Sequence, residues 1–404
     1  MKSQNQNWMK RQIDKHKKWI IVLSSLFFVM LCVIYIPRLV AVSVVSDTAT
    51  TTPVIPEKVV AHVQTPKEVR GIYMTACVAS VPSWRTDLKK FIENTELNTV
   101  LIDIKDYSGT ISFKDKELQP AGGTGCTVKD LEEYIAELHK SGIYVLGRIA
   151  VFQDPLATKQ HPEWAVRSKS TGGIWKDFKG LSFIDVGAKE YWDYIVSLAK
   201  DSYALGFDEI NFDYVRYPSD GNMKDTNFTF SVGTSTKADM LESFFKYLSE
   251  NLKGTGMKIS VDLFGMTTTS RDDLNIGQVL VRALPYFDFV LPMVYPSHYP
   301  ATWEGFKNPA DHPYEVIKIA MKSAVEREQE YFISNGIATS TPSKLRPWLQ
   351  DFDLGANYGV AEVRAQIKAT NDVGLTSWML WDAGNKYTRA ALLPDTSVQT
   401  RVSN

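Results

Sequence analysis

Within the stretch Gly206–Pro218, the polar residues Glu209, Asn211 and Asp213 alternate with Ile210 and Phe212. Such alternation puts the polar set on one face of a β-strand. Pro218 bars any longer ladder, so the strand is expected to end near Asp213 and run into a loop bearing Tyr214 and Arg216. Other strand-like stretches also end in acids: Asp103 and Asp106, Asp262, and Asp382. Glycoside hydrolysis needs two carboxyl groups flanking the scissile bond, one protonated and one ionised. Asp213 is the expected nucleophile or base and Asp262 the expected acid, with Lys105 and Arg148 available to separate their pKa values. Substrate contacts are expected from Asp103, Lys105, Arg148, Asn211, Arg216, Tyr295, His298, Trp381 and Asp382. The structural rival is that Asp213 merely pairs with Arg216 or Lys105, and that Asp103 closes the fold by pairing with Lys105 or Arg148.

Trp164, Trp175, Tyr214, Tyr217, Tyr295, Tyr299, Trp303, Trp378 and Trp381 fall near predicted strand ends and loops. Flat rings with polar edges suit sugar faces, though about half of such aromatics belong to cores. The six histidines form no H-E-x-x-H or other close pair, so no metal and no cofactor is called for. There is no G-x-S-x-G elbow, Walker A motif or G-x-G-x-x-G turn. The net charge of −1 argues against a nucleic-acid partner.

Positioning these residues falls to alternating strand-like and helix-like stretches. Strands are predicted at Gly71–Ala76, Asn98–Lys105, Ile143–Val151, Gly206–Asp213, Lys258–Phe264, Phe287–Tyr295, Tyr331–Ala338 and Thr376–Asp382. Helices are predicted at Ser83–Thr95 (Ser83 as cap), Val128–Lys140, Lys189–Leu205, Thr236–Leu252, His312–Glu328 and Val360–Val373. Phe152–Ala188 reads as a long loop. Eight strands, most followed by a helix, over residues 70–395 match an α/β chain of the (β/α)8 TIM-barrel class with long βα loops. In that fold the C-terminal strand ends converge on one cavity.

The first 69 residues differ in character. Residues 1–18 hold six Lys or Arg against one Asp, and Trp19–Ile36 then carries no charge. As a helix those 18 residues would be about 27 Å long, near one hydrocarbon thickness. The basic flank predicts a cytoplasmic N-terminus, a transmembrane anchor at 19–36 and the barrel outside the cell membrane. A cleaved signal peptide ending near Ala41-Val42-Ser43 is the rival. Residues 37–69, rich in Thr, Val and Pro, read as an extended linker, and 396–404 as a tail. Of three cysteines, Cys77 and Cys126 either pair or stay as free thiols.

Asn98–Gly109, Gly206–Pro218, Leu291–Tyr299 (Leu-Pro-Met-Val-Tyr-Pro-Ser-His-Tyr) and Leu380–Thr388 (Leu-Trp-Asp-Ala-Gly-Asn-Lys-Tyr-Thr) occur in an order that resembles a bacterial family of glycoside-hydrolase-like proteins with a TIM-barrel domain. The resemblance covers about Arg70 to Pro394 and implies that fold and reaction class, without a substrate. Gly206–Tyr214 is also distantly similar to the fourth-strand motif D-x-x-D-x-D-x-E of chitinase-type barrels. Asp208 and Asp213 match two aspartates, Asn211 replaces the middle one, and Val215 stands where the catalytic glutamate would be. The resulting expectation is a membrane-anchored glycoside hydrolase acting on an extracellular or cell-surface polysaccharide. The alternative is a non-catalytic carbohydrate-binding or scaffold protein on a TIM barrel.

Overall fold

Eight parallel strands pair in chain order and close on themselves. They are β1 (Arg70–Met74), β2 (Thr99–Lys105), β3 (Tyr144–Ala150), β4 (Glu209–Asp213), β5 (Lys258–Phe264), β6 (Phe289–Met293), β7 (Trp348–Gln350) and β8 (Trp378–Trp381). This computed structural model describes Met30 and residues 60–114, 125–231 and 236–394. Every residue of β2, β3 and β4 is buried, because helices cover the outside of the barrel and side chains fill its inside. Ile210 and Phe212 belong to the large apolar layer between strands and helices. Tyr73, Leu101, Tyr144, Leu146, Leu291, Tyr295, Trp348 and Met379 form a smaller apolar cluster inside. The alternation in β4 therefore sorts its residues as the sequence requires: apolar outward, polar inward.

Register carries that sorting around the barrel. Asp103 pairs with Arg148, Arg148 with Asn211, and Asn211 with Ser260. Phe212 pairs with Val261, so the next step sets Asp213 beside Asp262 at the C-terminal ends of β4 and β5. At the opposite end Glu209 is neutralised by Arg346 (Nη1 to Oε2 2.9 Å) and accepts a bond from Tyr144. Asp208 accepts from the backbone N–H groups of Val145 and Val63 and contacts His139, tying residues 60–69 to the barrel. That segment, read from sequence as linker, is thus part of the folded unit Val60–Asn404.

The principal helices are α1 (Pro82–Glu93), α2 (Leu131–Lys140), α3 (Lys189–Leu205), α4 (Lys237–Leu252), α5 (Leu280–Ala283), α6 (Pro313–Ser334) and α7 (Val360–Asp372). Helix α3 has the predicted bounds and stops at Gly206, whose φ of +124° disfavours a residue with a Cβ. Thr236 and Asp239 form a reciprocal capping box at the start of α4. Helix α1 starts at Pro82 with Val81 at its cap position and no side-chain bond, so Ser83 is not the cap.

The predicted seventh strand, Tyr331–Ala338, is a correction. Its first residues continue α6, whose buried positions Val316, Ile317, Ala320, Met321, Ala324 and Phe332 keep helical spacing. The seventh strand is the three-residue β7, disguised in sequence by Pro347 just before it. The loop after β3 is also less plain than expected. It contains a helix, Pro155–Gln160, and a short strand, Arg167–Ser168, that pairs antiparallel with Thr226–Asn227 from the loop after β4.

The expected basic tail and the membrane segment Trp19–Ile36 lie, Met30 apart, outside the described residues. No helix among the described residues is long and apolar enough to cross a membrane. Cys77 and Cys126 form a disulfide with Cα atoms 4.9 Å apart, which settles the open alternative.

Candidate active site

Arg148 is the hub of the C-terminal barrel mouth. Its Nη1 donates to Asp103 Oδ1 at 2.7 Å, while Nη2 and Nε both donate to Asp213 Oδ2 at 2.6 and 3.0 Å. Tyr73 donates to the other oxygen of Asp103 at 2.5 Å. Asp213 Oδ1 accepts from the Tyr214 N–H at 2.6 Å. All three charged side chains are buried. The structural pairing weighed for Asp103 is realised with Arg148, and Asp213 takes the same partner rather than Arg216 or Lys105.

Asp262 lies on the neighbouring strand, buried to 1% exposure. Its Oδ1 accepts from Asn211 Nδ2 and Trp348 Nε1, both at 2.9 Å. Oδ2 accepts no hydrogen bond among the described residues. Burial, and then the charge of Asp213, holds this carboxyl well above the usual carboxylate range, which favours its protonated form. The buried Oδ1 of Asn211 has no partner among the described residues. A half-turn of that amide would offer it to the Asp262 proton.

Above these groups opens a cavity of about 410 Å³. Of the predicted site residues, Asp213, Arg148, Arg216, Tyr295, His298 and Trp381 line it. Asp103 and Asn211 lie deeper and act through Arg148 and Asp262. Asp262 is not on the cavity lining either, although Phe264, two residues further along the same strand face, is. Burial pushes the Tyr295 hydroxyl far above its ordinary value, with Asp262 and Asp213 adding to the shift, so it remains a neutral phenol beside both acids.

Two predicted contacts are elsewhere. Lys105 follows an irregularity in β2 that turns it out of the barrel, where it is fully buried against Asp154 (2.6 Å) and the Tyr191 hydroxyl (2.8 Å). Asp382 accepts from the backbone N–H groups of Gly384 and Lys386 in its own loop, at 2.7 and 2.9 Å. It shapes a turn, as does Asp106, which accepts from Ser108. Neither Lys105 nor Asp382 lines the cavity.

Among the aromatics, Tyr214, Tyr295, Tyr299 and Trp381 face the cavity, while Trp175, Tyr217 and Trp378 are core. Trp381 stacks on Tyr73 with ring centroids 3.9 Å apart. Sequence reasoning missed Phe264, Gly265, Met266 and Met293, which complete the lining. Gly265 had a legible signal, as a glycine just past a strand end. A Cβ there would sit 2.4 Å from the Met293 carbonyl oxygen. Tyr214 has φ of +52°, a strained state for a bulky residue that turns the chain directly after Asp213.

Residues 71–387 match a family described as "Putative glycosyl hydrolase domain". No curated protein matches the sequence. Among solved structures, the glycoside hydrolase domain of PgaB (BpsB) from Bordetella bronchiseptica is similar at a TM-score of 0.58 and 14% identity, over 81% of this chain and 98% of its own. Alpha-L-fucosidase isoenzyme 2 from Paenibacillus thiaminolyticus is similar at 0.51 and 12% identity, over 80% of this chain and 47% of its own. A hypothetical protein from Ruminiclostridium thermocellum ATCC 27405 is 28% identical over 51% of this chain and 98% of its own, at a TM-score of 0.43. At such identities the first two likenesses speak to the barrel fold alone.

Proposed function

The chain belongs to the family described as "Putative glycosyl hydrolase domain", and we propose on that premise that its barrel hydrolyses a polysaccharide with Asp213 and Asp262 as the carboxyl pair. The observation that carries this reading is the unequal state of two neighbouring acids. Asp213 lines the cavity with its carboxylate fixed by Arg148, while burial and then the charge of Asp213 raise Asp262 well above the usual carboxylate range. A carboxylate beside an acid raised in this way divides the base and acid roles of glycoside hydrolysis. The Asp262 proton goes to the departing glycosidic oxygen, and the carboxylate of Asp213 meets the positive charge that develops at the anomeric carbon. Water supplies the hydroxyl of the new reducing end and gives its other proton back to Asp262. Arg148 orients Asp213, and Tyr73 and Asp103 hold Arg148. Trp381 and Tyr214 offer rings to the sugar.

The test is release of reducing ends from defined glycans by the full-length protein and by its Asp213→Asn and Asp262→Asn variants. Turnover that survives both substitutions would sink this assignment. A binding-only barrel is the second reading, favoured by the full engagement of Asp213 with Arg148 and Tyr214 and by the position of Asp262 off the cavity lining. Glycan binding by wild-type protein without turnover would select it. We also propose that residues 19–36 anchor the chain in the cell membrane with the barrel outside. The basic residues before that run support this reading, as does the Cys77–Cys126 disulfide, which suits an oxidising compartment.

A further inference from the structure

Arg216 is only 9% exposed, yet among the described residues it has no carboxylate partner within ion-pair distance. Its one hydrogen bond among those residues runs from Nη1 to the carbonyl of Tyr217, at 3.1 Å. The other buried arginines are differently supplied. Arg148 has two carboxylates, Arg346 has Glu209, and Arg327 donates to three backbone carbonyls. A guanidinium carries five N–H donors and cannot shed its charge in a protein, so burying it with one acceptor is unfavourable unless something else completes it. Its Cζ lies over the rings of Phe264, Tyr214 and Phe183, 4.9, 5.2 and 5.8 Å from their centroids. Such stacking leaves the donor-bearing edge for a ligand.

Arg216 is also placed to meet one. With Tyr214 it lines both the cavity above Asp213 and a second cavity of about 470 Å³ walled by the loops after β2, β3 and β4. Exposed Tyr107 borders this second cavity, and exposed Phe178 sits between two of its lining residues, Asp177 and Lys179. A glycan running from one cavity to the other would pass the guanidinium edge.

We propose that the cleft takes an acidic glycan, with the carboxylate of one sugar seated on Arg216 where the two cavities meet. A planar carboxylate matches the guanidinium fork with two parallel hydrogen bonds. Asp213, Asp177 and Asp220 also act on Arg216 from farther away, and three nearby acids tolerate a single negative charge better than a phosphate dianion. This inference rests on the carbohydrate reading of the site and names its substrate class.

The experiment measures binding by the full-length protein, independent of turnover, using methyl glucuronoside, its neutral methyl ester, methyl glucoside and glucose 6-sulfate. Wild-type protein should bind the uronate at least ten-fold more tightly than the ester. Arg216→Gln should abolish that preference, and Arg216→Lys should keep part of it. Thermal melts on the same samples should show Arg216→Gln no less stable than wild type, because it removes a buried charge that lacks an ion-pair partner. Equal binding of acid and ester, or a preference that survives Arg216→Gln, overturns the proposal while leaving the carbohydrate reading intact. An Arg216-dependent preference for the sulfate alone overturns the carboxylate assignment. Should no sugar bind, charged or neutral, the carbohydrate reading falls and this proposal with it. Should Arg216→Gln fail to fold, the acid-to-ester ratio in wild type and in Arg216→Lys still decides.

Discussion

The carboxyl of Asp262 is raised chiefly by burial and next by the charge of Asp213, and this fixes the sign of two pH effects. An acid raised in the folded state stabilises the fold fully below the ordinary carboxylate range, and that contribution is lost as pH rises through the raised value. The melting temperature of wild-type protein is therefore expected to fall as pH rises from the ordinary carboxylate range to that value and to level off above it. Asp262→Asn, uncharged at every pH, should flatten this limb, and differential scanning calorimetry across pH checks it. Glycan turnover that uses the Asp262 proton should fall at the upper end of that window, as pH rises through the raised value. Asp213→Asn removes a charge that keeps Asp262 protonated, so any residual alkaline limb should move to lower pH. That variant also leaves Arg148 with one carboxylate of its two, at a stability loss of about 3–5 kcal/mol if the buried pair is effectively broken. Its activity per folded molecule should still drop by several orders of magnitude, since nothing replaces a missing nucleophile or base. Specific activity of the folded fraction is the deciding measurement, because a stability loss is expected in either role. At this scale the sequence revealed which residues share a face in β4, and hence Asn211 and Asp213. It could not reveal that Lys105 turns away from the barrel, because one irregular residue between Asp103 and Lys105 reverses the alternation there.

Adjacent strands make a prediction about stereochemistry. Register sets Asp213 and Asp262 beside one another on β4 and β5, and neighbouring strands lie about 4.8 Å apart. Retaining glycosidases hold their carboxyl groups roughly 5–5.5 Å apart, whereas inverting ones need about 6.5–9.5 Å to admit a water. Carboxyl groups that keep the strand spacing give net retention of anomeric configuration, and the first-formed anomer seen by proton NMR on a hydrolysed glycan checks it. An inverted product would argue that Asp262 is not the partner acid. The loop between β1 and α1 offers a separate test. The Cys77–Cys126 bond spans 49 residues, for which chain entropy gives about 4 kcal/mol of stabilisation. Replacing both cysteines by serine should lower unfolding stability in denaturant by about 2–4 kcal/mol without moving the β3–β5 site residues. Most elements were legible because burial imposes its own period, 2 in the strands and 3.6 in the helices. β7 escaped because three residues after a proline are too short to show a period. The β-prone run Tyr331–Ile333 suggested a strand because it sits at the end of a helix whose inner face supplies the packing.

The barrel as a whole gathers its site from residues far apart in sequence, with Asp103, Arg148, Asp213, Asp262, Tyr295 and Trp381 contributed by six different strands or the loops that follow them. That convergence could be anticipated only after the eight-fold alternation had been read, since no local motif unites these residues. The junction of two cavities at Arg216 could not be anticipated, because it depends on how the loops after β2, β3 and β4 fold over the barrel mouth. Placement of the molecule in the cell is the remaining step. Six cationic residues before an 18-residue uncharged run favour a cytoplasmic N-terminus. A disulfide within the barrel agrees with the outer side, where thiols oxidise and stay oxidised. Protease added to intact cells should therefore digest the barrel or release it as a soluble fragment, and a thiol-blocking reagent added before lysis should leave Cys77 and Cys126 unmodified because they are already paired. A barrel that is reached only after the membrane is broken, with both thiols free to react, would place the domain in the cytoplasm and refute the proposed orientation.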